Sequence, residues 1–449
     1  MSSSVKSDMH FNTPVERAVA TYRADWIRVQ FDSPRFAVVN PETLGAQTDG
    51  DFQFRYLDIS SVDAGSVSWN AVPIIRFADA PSRARRVVRN GDVLLCTVRP
   101  LLGSHAFASC DFRGPIVCST GFAVIRAAAG MKPEFLKYLP FAEQVTRQMV
   151  AWQCGTNYPA VNERDIRQLT IPAPSPGEQA AIARILDSVD TAIERARDAI
   201  RLAAQFKNAL VQEFFYAALG VTAYADRPSR KLPNGWVLSP MEALIVGEPK
   251  NGVSPKCSSQ PPGSPTFSIA AIRGGRVDLA NGENLKYAEV HPKVLDKFRI
   301  SKGDILIVRG NANPDLVGKA GRVTDFPDDC IYPDIAKRVI LRDSGDHRLL
   351  PEFAVFAWNH PIVHNQILRR AKTSNGTLKI NNRDVKQIVV PVPPIERQEE
   401  IVSLTLAADR MLDALEAKRF ALTALKKSLM HDLLTGTVRV TDCDFTSSP

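Results

Sequence analysis

Arginine side chains are concentrated at one place in the first half of the chain. Arg83, Arg85, Arg86 and Arg89 lie within seven residues, and Arg99 follows the next apolar run. A guanidinium can bind a phosphate oxygen, or it can donate two hydrogen bonds to O6 and N7 of guanine. The cluster therefore predicts contact with a nucleic acid, although solvated surface charges can have the same spacing.

The second half carries comparable basic segments, and the formal net charge of +8 is permissive for a polyanionic partner. The further residues predicted to contact DNA are Arg273 and Arg276 beside a Gly-Gly turn, Arg309, Lys319 and Arg322 around a loop, Lys372, Thr377 and Lys379 in a polar loop, and Thr156 and Asn157 in the matching loop of the first half. Spacing alone does not separate phosphate contact from base reading.

Motifs that would indicate catalysis are incomplete. Asn313-Pro314-Asp315-Leu316 lacks the second proline and the aromatic residue of the Asn-Pro-Pro-Tyr motif that surrounds a flipped adenine in amino-methyltransferases, so it predicts a turn. Gly318-Lys319 is followed by Ala320, without the earlier glycine of a phosphate-binding loop, and the seven histidines form no H-E-x-x-H pair. We therefore predict no catalytic, cofactor-binding or metal-binding residues on this chain.

The cysteines and the apolar residues limit the class of protein further. Seven cysteines with no C-x-x-C spacing argue against a disulfide framework and a structural zinc site, and indicate reduced thiols in a cytoplasmic protein. The sequence contains no run of 18 apolar residues, so we predict no membrane span and no membrane partner. Residues 1–22 are Ser-rich near the start and predict a weakly ordered extension rather than a secretory signal.

The elements that position these residues occur twice. Ile171-Pro-Ala-Pro begins one long helical pattern, and Val390-Pro-Val-Pro begins another 219 positions later (390 minus 171). The same offset relates Gln179 to Gln398, Asp190 to Asp409 and Lys207 to Lys426. Gly91-Asp92 and Gly303-Asp304 also match, at a slightly different offset. A diverged tandem duplication explains this ordered series.

Each copy predicts an α+β domain followed by a long helix. Strands are expected at 86–88, 93–98, 121–126, 304–309 and 337–342, with a hairpin or tight turn at Asn90-Gly91. Helices are expected over 131–149 and 351–370, the second of them split or kinked at Pro361.

The two long helices show apolar residues at alternating three- and four-residue spacing, which predicts coiled-coil seams. The first seam is predicted at Ile182, Ile185, Val189, Ile193, Ala196, Ile200, Ala203, Leu210 and Phe214, with one gap in the apolar series where Lys207 takes the expected seam position. The second seam is predicted at Ile401, Leu404, Ala408, Met411, Leu415, Leu422, Leu425, Leu429 and Leu433, with a gap at Lys418. Antiparallel pairing of the two helices is the expected arrangement, with the two α+β domains at opposite ends of a rod. Ordinary bundle helices packed on their own domains are the alternative.

Both helix starts resemble those of specificity subunits of type I restriction-modification systems. The residues that carry the resemblance are Ile171-Pro-Ala-Pro-Ser-Pro-Gly-Glu-Gln179, Val390-Pro-Val-Pro-Pro-Ile-Glu-Arg-Gln-Glu399 and the ending Asp432-Leu-Leu-Thr-Gly436. Leu232-Pro-Asn-Gly-Trp236 is similar to the opening of a target-recognition domain, whereas the first domain opens with Asp25-Trp26-Ile27. The resemblance covers about residues 23 to 440.

This resemblance implies two similar target-recognition domains joined to two long helices that pair as an antiparallel coiled coil. The implied boundaries are an N-terminal extension at 1–22, recognition domains at 23–175 and 221–392, spacer helices at 176–220 and 393–436, and a tail at 437–449. It further implies a non-catalytic reader of a split, asymmetric sequence in double-stranded DNA, in which the helices fix the unread spacer.

The implied partners are two methyltransferase subunits docked on the coiled coil and, through them, restriction-translocase subunits, in a bacterial or archaeal cytoplasm. No cofactor is expected on this chain, since S-adenosylmethionine, ATP and Mg belong to the partner subunits. A single-chain methyltransferase is an alternative that would need the missing catalytic motif. A coiled-coil scaffold, or a solitary DNA-binding protein derived from the family, would keep the helices without the same complex.

Overall fold

The computed structural model describes residues 23–63, 65–109, 114–155, 158–219, 235–279, 282, 284–345, 348–374 and 376–440. Contacts divide the chain into unit 1 (1–199 and 415–449) and unit 2 (200–414). Each unit therefore contains one α+β domain and one part of each long helix.

Unit 1 has twelve short strands within its described residues. They are β1 (Ile27–Gln30), β2 (Ala37–Val39), β3 (Gln53–Leu57), β4 (Val62–Asp63), β5 (Ser66–Val67), β6 (Ile74–Arg76), β7 (Ala84–Val88), β8 (Val93–Cys96), β9 (Ala106–Phe107), β10 (Ile116–Ser119), β11 (Phe122–Ala127) and β12 (Thr170–Ala173). The helices of this domain are α1 (Pro133–Leu136), α2 (Glu143–Trp152) and α3 (Glu163–Gln168), and α4 (Pro176–Leu219) follows. The two larger sheets have the orders β6-β3-β10-β7 and β2-β11-β8-β9.

Unit 2 is built in the same style with different sheets. Its strands are β13 (Val237–Pro240), β14 (Lys250–Asn251), β15 (Ser264–Phe267), β16 (Ile272–Arg273), β17 (Arg276–Val277), β18 (Leu285–Ala288), β19 (Ile305–Val308), β20 (Gly310–Asn311), β21 (Ala320–Val323), β22 (Ala336–Val339), β23 (Lys372–Ser374), β24 (Thr377–Lys379) and β25 (Val389–Val392). Its helices are α5 (Met241–Leu244), α6 (Pro292–Phe298), α7 (Pro351–Asn359), α8 (Pro361–Arg370) and α9 (Asn382–Gln387), followed by α10 (Ile395–Thr435). The main sheet has the order β14-β22-β19-β21-β17-β16, and β20-β24-β23 form a small sheet.

The strand after each Gly-Asp pair is buried on both faces. In β8, Leu95 packs into the cluster that includes Trp26, while Leu94 packs into the cluster that includes Phe122. In β19, Ile305 and Leu306 enter two separate clusters in the same way. Since alternate strand residues point to opposite faces, a strand covered on both sides must be apolar throughout.

The Asn90-Gly91 turn is confirmed as a tight turn, but the hairpin alternative is wrong. Gly91 has a positive φ of 88°, and the Asp92 N–H donates to the Arg89 carbonyl over 3.1 Å. The flanking strands do not pair: β7 pairs with β10, whereas β8 pairs with β11 and β9. The turn is thus a corner between two sheets, because both faces of β8 must be covered.

A glutamine fastens each long helix to its domain. The buried Gln179 side chain accepts from the Lys132 N–H over 2.8 Å and donates to the carbonyls of Gly130 and Pro174. Gln398 makes the same three kinds of bond, accepting from the Leu350 N–H and donating to the carbonyls of Arg348 and Pro393. The repeat offset therefore preserves a specific structural contact.

Antiparallel pairing of α4 with α10 is confirmed within each unit. In unit 2, Lys207 forms an ion pair with Asp409, and in unit 1, Lys426 pairs with Asp190 over 2.6 Å. The early part of α4 thus faces the late part of α10 in unit 1, and the reverse holds in unit 2. The repeat relates the two ion pairs to each other, because the offset of 219 takes Lys207 to Lys426 and Asp190 to Asp409. The fold class predicted from the sequence is confirmed.

The predicted seams need correction. The inward positions of α4 are Ile182, Leu186, Val189, Ile193, Ala196, Ile200, Ala203, Lys207, Leu210 and Phe214, and those of α10 are Ile401, Thr405, Ala408, Leu412, Leu415, Arg419, Leu422, Lys426, Leu429 and Leu433. Lys207 occupies the seam position at which the apolar series has its gap, as predicted, whereas the gap predicted at Lys418 is filled by the neighbouring Arg419. Leu404, Met411 and Leu425 are exposed, contrary to the prediction. Because Thr405 and Lys426 are polar, the apolar pattern assigned their seam positions to the neighbouring Leu404 and Leu425, which lie on the outer face.

Two further helix predictions have different outcomes. The single helix predicted over 131–149 is wrong, because the segment divides into α1, a 3-10 helix at Leu139–Phe141 and α2. Pro140 lacks the N–H that a continuous helix needs. The break predicted at Pro361 is confirmed, since α7 ends at Asn359 and α8 begins at Pro361.

Candidate nucleic-acid interface

Backbone hydrogen bonds assemble one end of the first domain from separate segments. The Thr97 N–H donates to the Gly121 carbonyl over 2.9 Å, and the Val161 N–H donates to the Thr97 carbonyl over 2.9 Å. The Thr120 N–H donates to the Arg83 carbonyl over 2.8 Å. We call this end edge 1; it comprises residues 83, 97–102, 119–121 and 158–161.

Arg99 is an exposed residue of edge 1 that connects two of its segments. Its N–H donates to the Pro159 carbonyl over 2.7 Å, and its guanidinium carbon lies 4.4 Å from the centre of the Tyr158 ring. The residue has a left-handed φ of 47°, which a non-glycine residue adopts only where its surroundings compensate for the strain. Arg99 and Tyr158 thus present a cation and an aromatic face together, which suits contact with phosphates and bases.

The predicted cluster at Arg83 to Arg89 is largely engaged by carboxylates. The ion pairs are Arg83 with Asp58 at 2.6 Å, Arg86 with Glu163 at 2.7 Å and Arg89 with Glu42 at 2.9 Å. Arg85 lies over the Phe77 ring at 4.9 Å. The Arg86 side chain is only 13% exposed, so it joins β7 to α3 inside the domain. Arg83 and Arg89 keep exposed side chains.

A small sheet builds the corresponding end of the second domain. The Arg309 N–H donates to the Ile335 carbonyl over 2.7 Å, and the Ile380 N–H donates to the Arg309 carbonyl over 2.9 Å. Strand β20 pairs with β24, so that Gly310 lies opposite Lys379. We call this end edge 2; it comprises residues 309–319, 337 and 372–380, except 375.

Edge 2 places two lysines directly opposite each other. Lys372 pairs with Lys379 across the β23–β24 hairpin, and both residues are exposed. Like charges in this arrangement destabilise a hairpin unless an anion lies near them. Thr377, half-buried, lies on the same hairpin. The predicted Thr156 and Asn157, in the matching loop of the first copy, lie outside the described residues.

A buried lysine adds positive charge behind this hairpin. Lys337 is 3% exposed, and its ammonium donates to the amide oxygens of Asn251 and Asn382, each over 2.7 Å. Burial, together with repulsion by Arg309, lowers the pKa of Lys337 to about 8. Arg309 itself lies 3.9 Å from Asp334. The lysine remains largely protonated at neutral pH and contributes to the positive potential of edge 2.

The loop that contains Lys319 is held from behind by α7 and α8. Trp358 donates to the Gly318 carbonyl over 2.6 Å, and His364 Nε2 lies 2.9 Å from the Val317 carbonyl oxygen. Asn359 makes paired hydrogen bonds to the backbone of Ala320. Burial lowers the pKa of Lys319, against the opposing effect of Asp315.

The three other predicted arginines of the second domain are also paired. The contacts are Arg273 with Asp278 at 2.6 Å, Arg276 with Asp413 at 3.3 Å and Arg322 with Glu352 at 3.1 Å. Asp413 belongs to α10, so Arg276 joins the domain to the helix within unit 2. Edge 2 therefore contains Arg309, Lys319, Lys372, Thr377 and Lys379 of the predicted residues, but not these three arginines.

Sequence reasoning missed two residues that the structure brings to these edges. Tyr158 lies two positions after Thr156, so an aromatic residue beside a polar loop was a usable signal. Lys337 gave none, because its burial depends on Asn251 and Asn382, which are far away in sequence. Among the described residues, no three or more His, Cys, Asp or Glu side chains gather as a metal site, and no helix there is long and apolar enough to cross a membrane.

Comparison with known families decides the classification. The model of the family described as "Type I restriction modification DNA specificity domain" matches residues 86–200 and 257–422. The chain belongs to this family. The first matched segment contains edge 1 apart from residue 83, the second contains edge 2, and both contain the first turns of a long helix. The duplication seen in the sequence is therefore a duplication of the specificity domain.

Curated members of the family are similar to the chain over much of its length. The EcoKI specificity subunit of Escherichia coli K12 is 26% identical over 305 residues, covering 64% of this chain and 61% of that protein. The StySPI specificity subunit of Salmonella potsdam is 22% identical over 293 residues, covering 65% and 62%. The chain thus spans about three fifths of the length of these relatives.

Solved structures show the same fold. A chain from a structure on complex assembly and conformational transition of the type I R-M system covers 93% of this chain and 99% of its own length, with 24% identity and a TM-score of 0.57. The S subunit of a type I restriction-modification system from M. genitalium covers 91% and 96%, with 14% identity and a TM-score of 0.53. The specificity domains and helices therefore follow a known architecture.

Proposed function

We propose that the chain is the DNA sequence-specificity subunit of a type I restriction-modification complex. Its two specificity domains each bind one half of a split target in duplex DNA, and the chain itself is not catalytic. Membership of the specificity-domain family supports this function. The structural observation that carries the proposal is edge 2, where Lys372 and Lys379 face each other beside Arg309.

An anion explains the composition of this edge better than any internal contact does. Lys372 and Lys379 repel each other in the unbound protein, and the buried Lys337 adds charge nearby. A DNA backbone supplies closely spaced phosphates, and each one neutralised by a lysine releases a counterion. Binding would therefore relieve a repulsion that folding alone leaves in place.

The two edges carry different side chains, which supports an asymmetric target. Edge 1 presents Arg99 stacked on Tyr158, whereas edge 2 presents opposed lysines on a hairpin. Domains that arose by duplication but expose different groups would recognise different base sequences. We infer that the target consists of two dissimilar half-sites, and that α4 and α10 set the number of unread base pairs between them.

The outer faces of the long helices supply docking positions for two methyltransferase subunits. Phe206 is 64% exposed and Leu425 is 47% exposed, and the repeat offset of 219 relates these two positions (425 minus 206). Large apolar side chains exposed at equivalent places on both helices suit a partner that binds twice. S-adenosylmethionine, ATP and Mg would be bound by those subunits and by the restriction subunits beyond them.

Substitution of these two residues tests the docking separately from DNA binding. Phe206→Glu and Leu425→Glu should each lower the number of bound methyltransferase subunits from two to one, measured by the mass of the purified complex. Leu202→Glu provides a matched control on the same helix, because the residue is 56% exposed but its repeat counterpart is Ala421. Two subunits bound to both test variants would contradict the assignment of these positions.

DNA reading is tested by comparing host genomes with and without the gene for this chain. Sequencing of methylated bases should show one bipartite, asymmetric motif that disappears on deletion. In vitro, affinity of the full chain for random duplex DNA should fall steeply with salt concentration. A methylation pattern that is unchanged by deletion, together with a salt-independent affinity, would leave the scaffold alternative.

A further inference from the structure

Each specificity domain exposes leucine on a proline-initiated turn at its edge. In the first domain, the 3-10 helix Pro100–Leu102 leaves Leu101 68% exposed and Leu102 70% exposed. In the second, the 3-10 helix Pro314–Leu316 leaves Leu316 40% exposed. Burial of a leucine side chain is energetically favourable, so its exposure in both copies needs a reason outside the isolated fold.

The two turns are equivalent features of the duplicated domain. Both follow the strand that begins after a Gly-Asp pair, and Pro100 lies nine residues after Gly91 while Pro314 lies eleven after Gly303 (100 minus 91, 314 minus 303). Next to each turn, the chain pairs with a segment that follows a Gly-Thr pair in the sequence: Val98 bridges to Ala160, and Asn311 pairs with Leu378. The two domains thus share this leucine-bearing turn, although most other residues of edge 1 and edge 2 differ.

Surrounding contacts hold the turns in a fixed shape. Left-handed backbone at Arg99 and Gly103 bounds the first turn, and the buried Pro100 anchors it. In the second, Asn313 accepts from the Asp315 N–H over 3.0 Å, and the buried Val317 follows Leu316. We call the exposed side chains of Leu101, Leu102 and Leu316 the leucine tips. Because their turns are rigid, they lose little conformational entropy when they bind.

We propose that these leucine tips contact base edges in a groove of the target duplex and thereby contribute to sequence discrimination. This inference rests on the proposed function. The neighbouring groups indicate the occupant: Arg99, which lies over the Tyr158 ring, directly precedes the first turn, and Lys319 lies three residues after Leu316. A DNA groove offers this complement, since phosphates border apolar base surfaces that include the thymine methyl group.

Such contacts predict a defined change in binding. The double variant Leu101→Ser/Leu102→Ser should bind the target duplex identified by methylation sequencing roughly 10- to 100-fold more weakly, because a lost base contact costs about 1–3 kcal/mol. Binding to a duplex of scrambled sequence and the dependence on salt should stay unchanged. Base-pair substitutions in only one half-site should lose their effect in this variant, and Leu316→Ser should act on the other half-site.

Control variants separate the alternatives. Leu102→Met keeps an apolar tip and should retain target binding, whereas Ile27→Ser removes a 58% exposed apolar residue from β1 and should have no effect. Wild-type chain without preference for its target would overturn the proposed function itself. Serine variants that keep full discrimination would overturn only this inference. Serine variants that bind DNA normally but lose methyltransferase subunits would also overturn it, and would assign the tips to protein docking.

Discussion

Lys372 and Lys379 form a pair that folding alone does not favour. Replacement of both by glutamine should leave the free energy of unfolding unchanged or raise it by a few tenths of a kcal/mol, because the cross-strand repulsion disappears. Affinity for any duplex should fall, and the slope of log affinity against log salt concentration should become shallower by about one for each lysine.

Fluorescence anisotropy with target and scrambled duplexes at several salt concentrations measures both effects. Lys286→Gln is a suitable control, since this exposed lysine lies on β18 in a different small sheet. An unaltered slope in the double variant, or an equal change in the control, would remove the hairpin from the phosphate-binding surface.

Two buried histidines should make stability depend on pH. Burial lowers the pKa of His105 and of His360 to about 4, from 6.5. His105 accepts the Cys96 N–H over 3.0 Å, so the fold holds the neutral imidazole. Below pH 6.5 the unfolded chain binds more protons than the folded chain, and stability therefore falls as the pH decreases from 6.5 to 4.

The change should be on the order of 3 kcal/mol for each histidine, measured by urea unfolding at intervals of pH. His105→Gln removes one of the two titrating groups and should make this dependence about half as steep. His431→Gln, at a half-exposed side chain, should not change it. An equally steep loss of stability in His105→Gln would place its cause in other groups.

At the scale of elements, the hydrogen bonds of Gln179 and Gln398, which we call the glutamine clamps, attach each long helix to its own domain. Gln179→Leu should lower the free energy of unfolding by on the order of 2–4 kcal/mol, because buried backbone groups lose their partners. Gln398→Leu should act similarly in unit 2. Gln205→Leu on the exposed face of α4 is the control for the change of residue type, and a loss of equal size there would contradict the clamp.

The sequence predicts elements that are repeated and long better than it predicts their local geometry. The duplication, the two helices and the break at Pro361 follow from offsets and from residue types that act locally. The second seam was misassigned because Thr405, Arg419 and Lys426 occupy inward positions that a purely apolar pattern rejects. The corner at Gly91 was ambiguous for a different reason: a turn residue does not reveal which strands pair across it.

The candidate site is harder to predict than the fold, because the partners of its side chains are distant in sequence. Arginine clusters are visible in the sequence, but their carboxylate partners are distant: Arg86 meets Glu163, and Arg276 meets Asp413. Lys372 and Lys379 were identified individually, yet their opposition depends on the register of a hairpin. The sequence shows which residues are charged, but only the folded structure shows which of these charges are neutralised by a neighbouring carboxylate.

At the scale of the whole molecule, the two helices are the proposed determinant of the spacer. A seven-residue insertion adds about 10.5 Å to a helix, which corresponds to roughly three base pairs of DNA. Placed after Ala199 in α4 and after Ala414 in α10, the insertions lie between the ion pair Lys207–Asp409 and the ion pair Lys426–Asp190 and preserve both. A heptad also keeps the seam in register.

Methylation sequencing of a host that carries the doubly extended chain should therefore show both half-sites unchanged and a spacer longer by about three base pairs. Insertion into α4 alone shifts its seam against α10 and should abolish methylation through loss of pairing. An unchanged spacer in the double insertion would show that something other than helix length sets the distance between half-sites. Because each domain keeps its own edge in this experiment, a change confined to the spacer separates the measurement of distance from the reading of sequence.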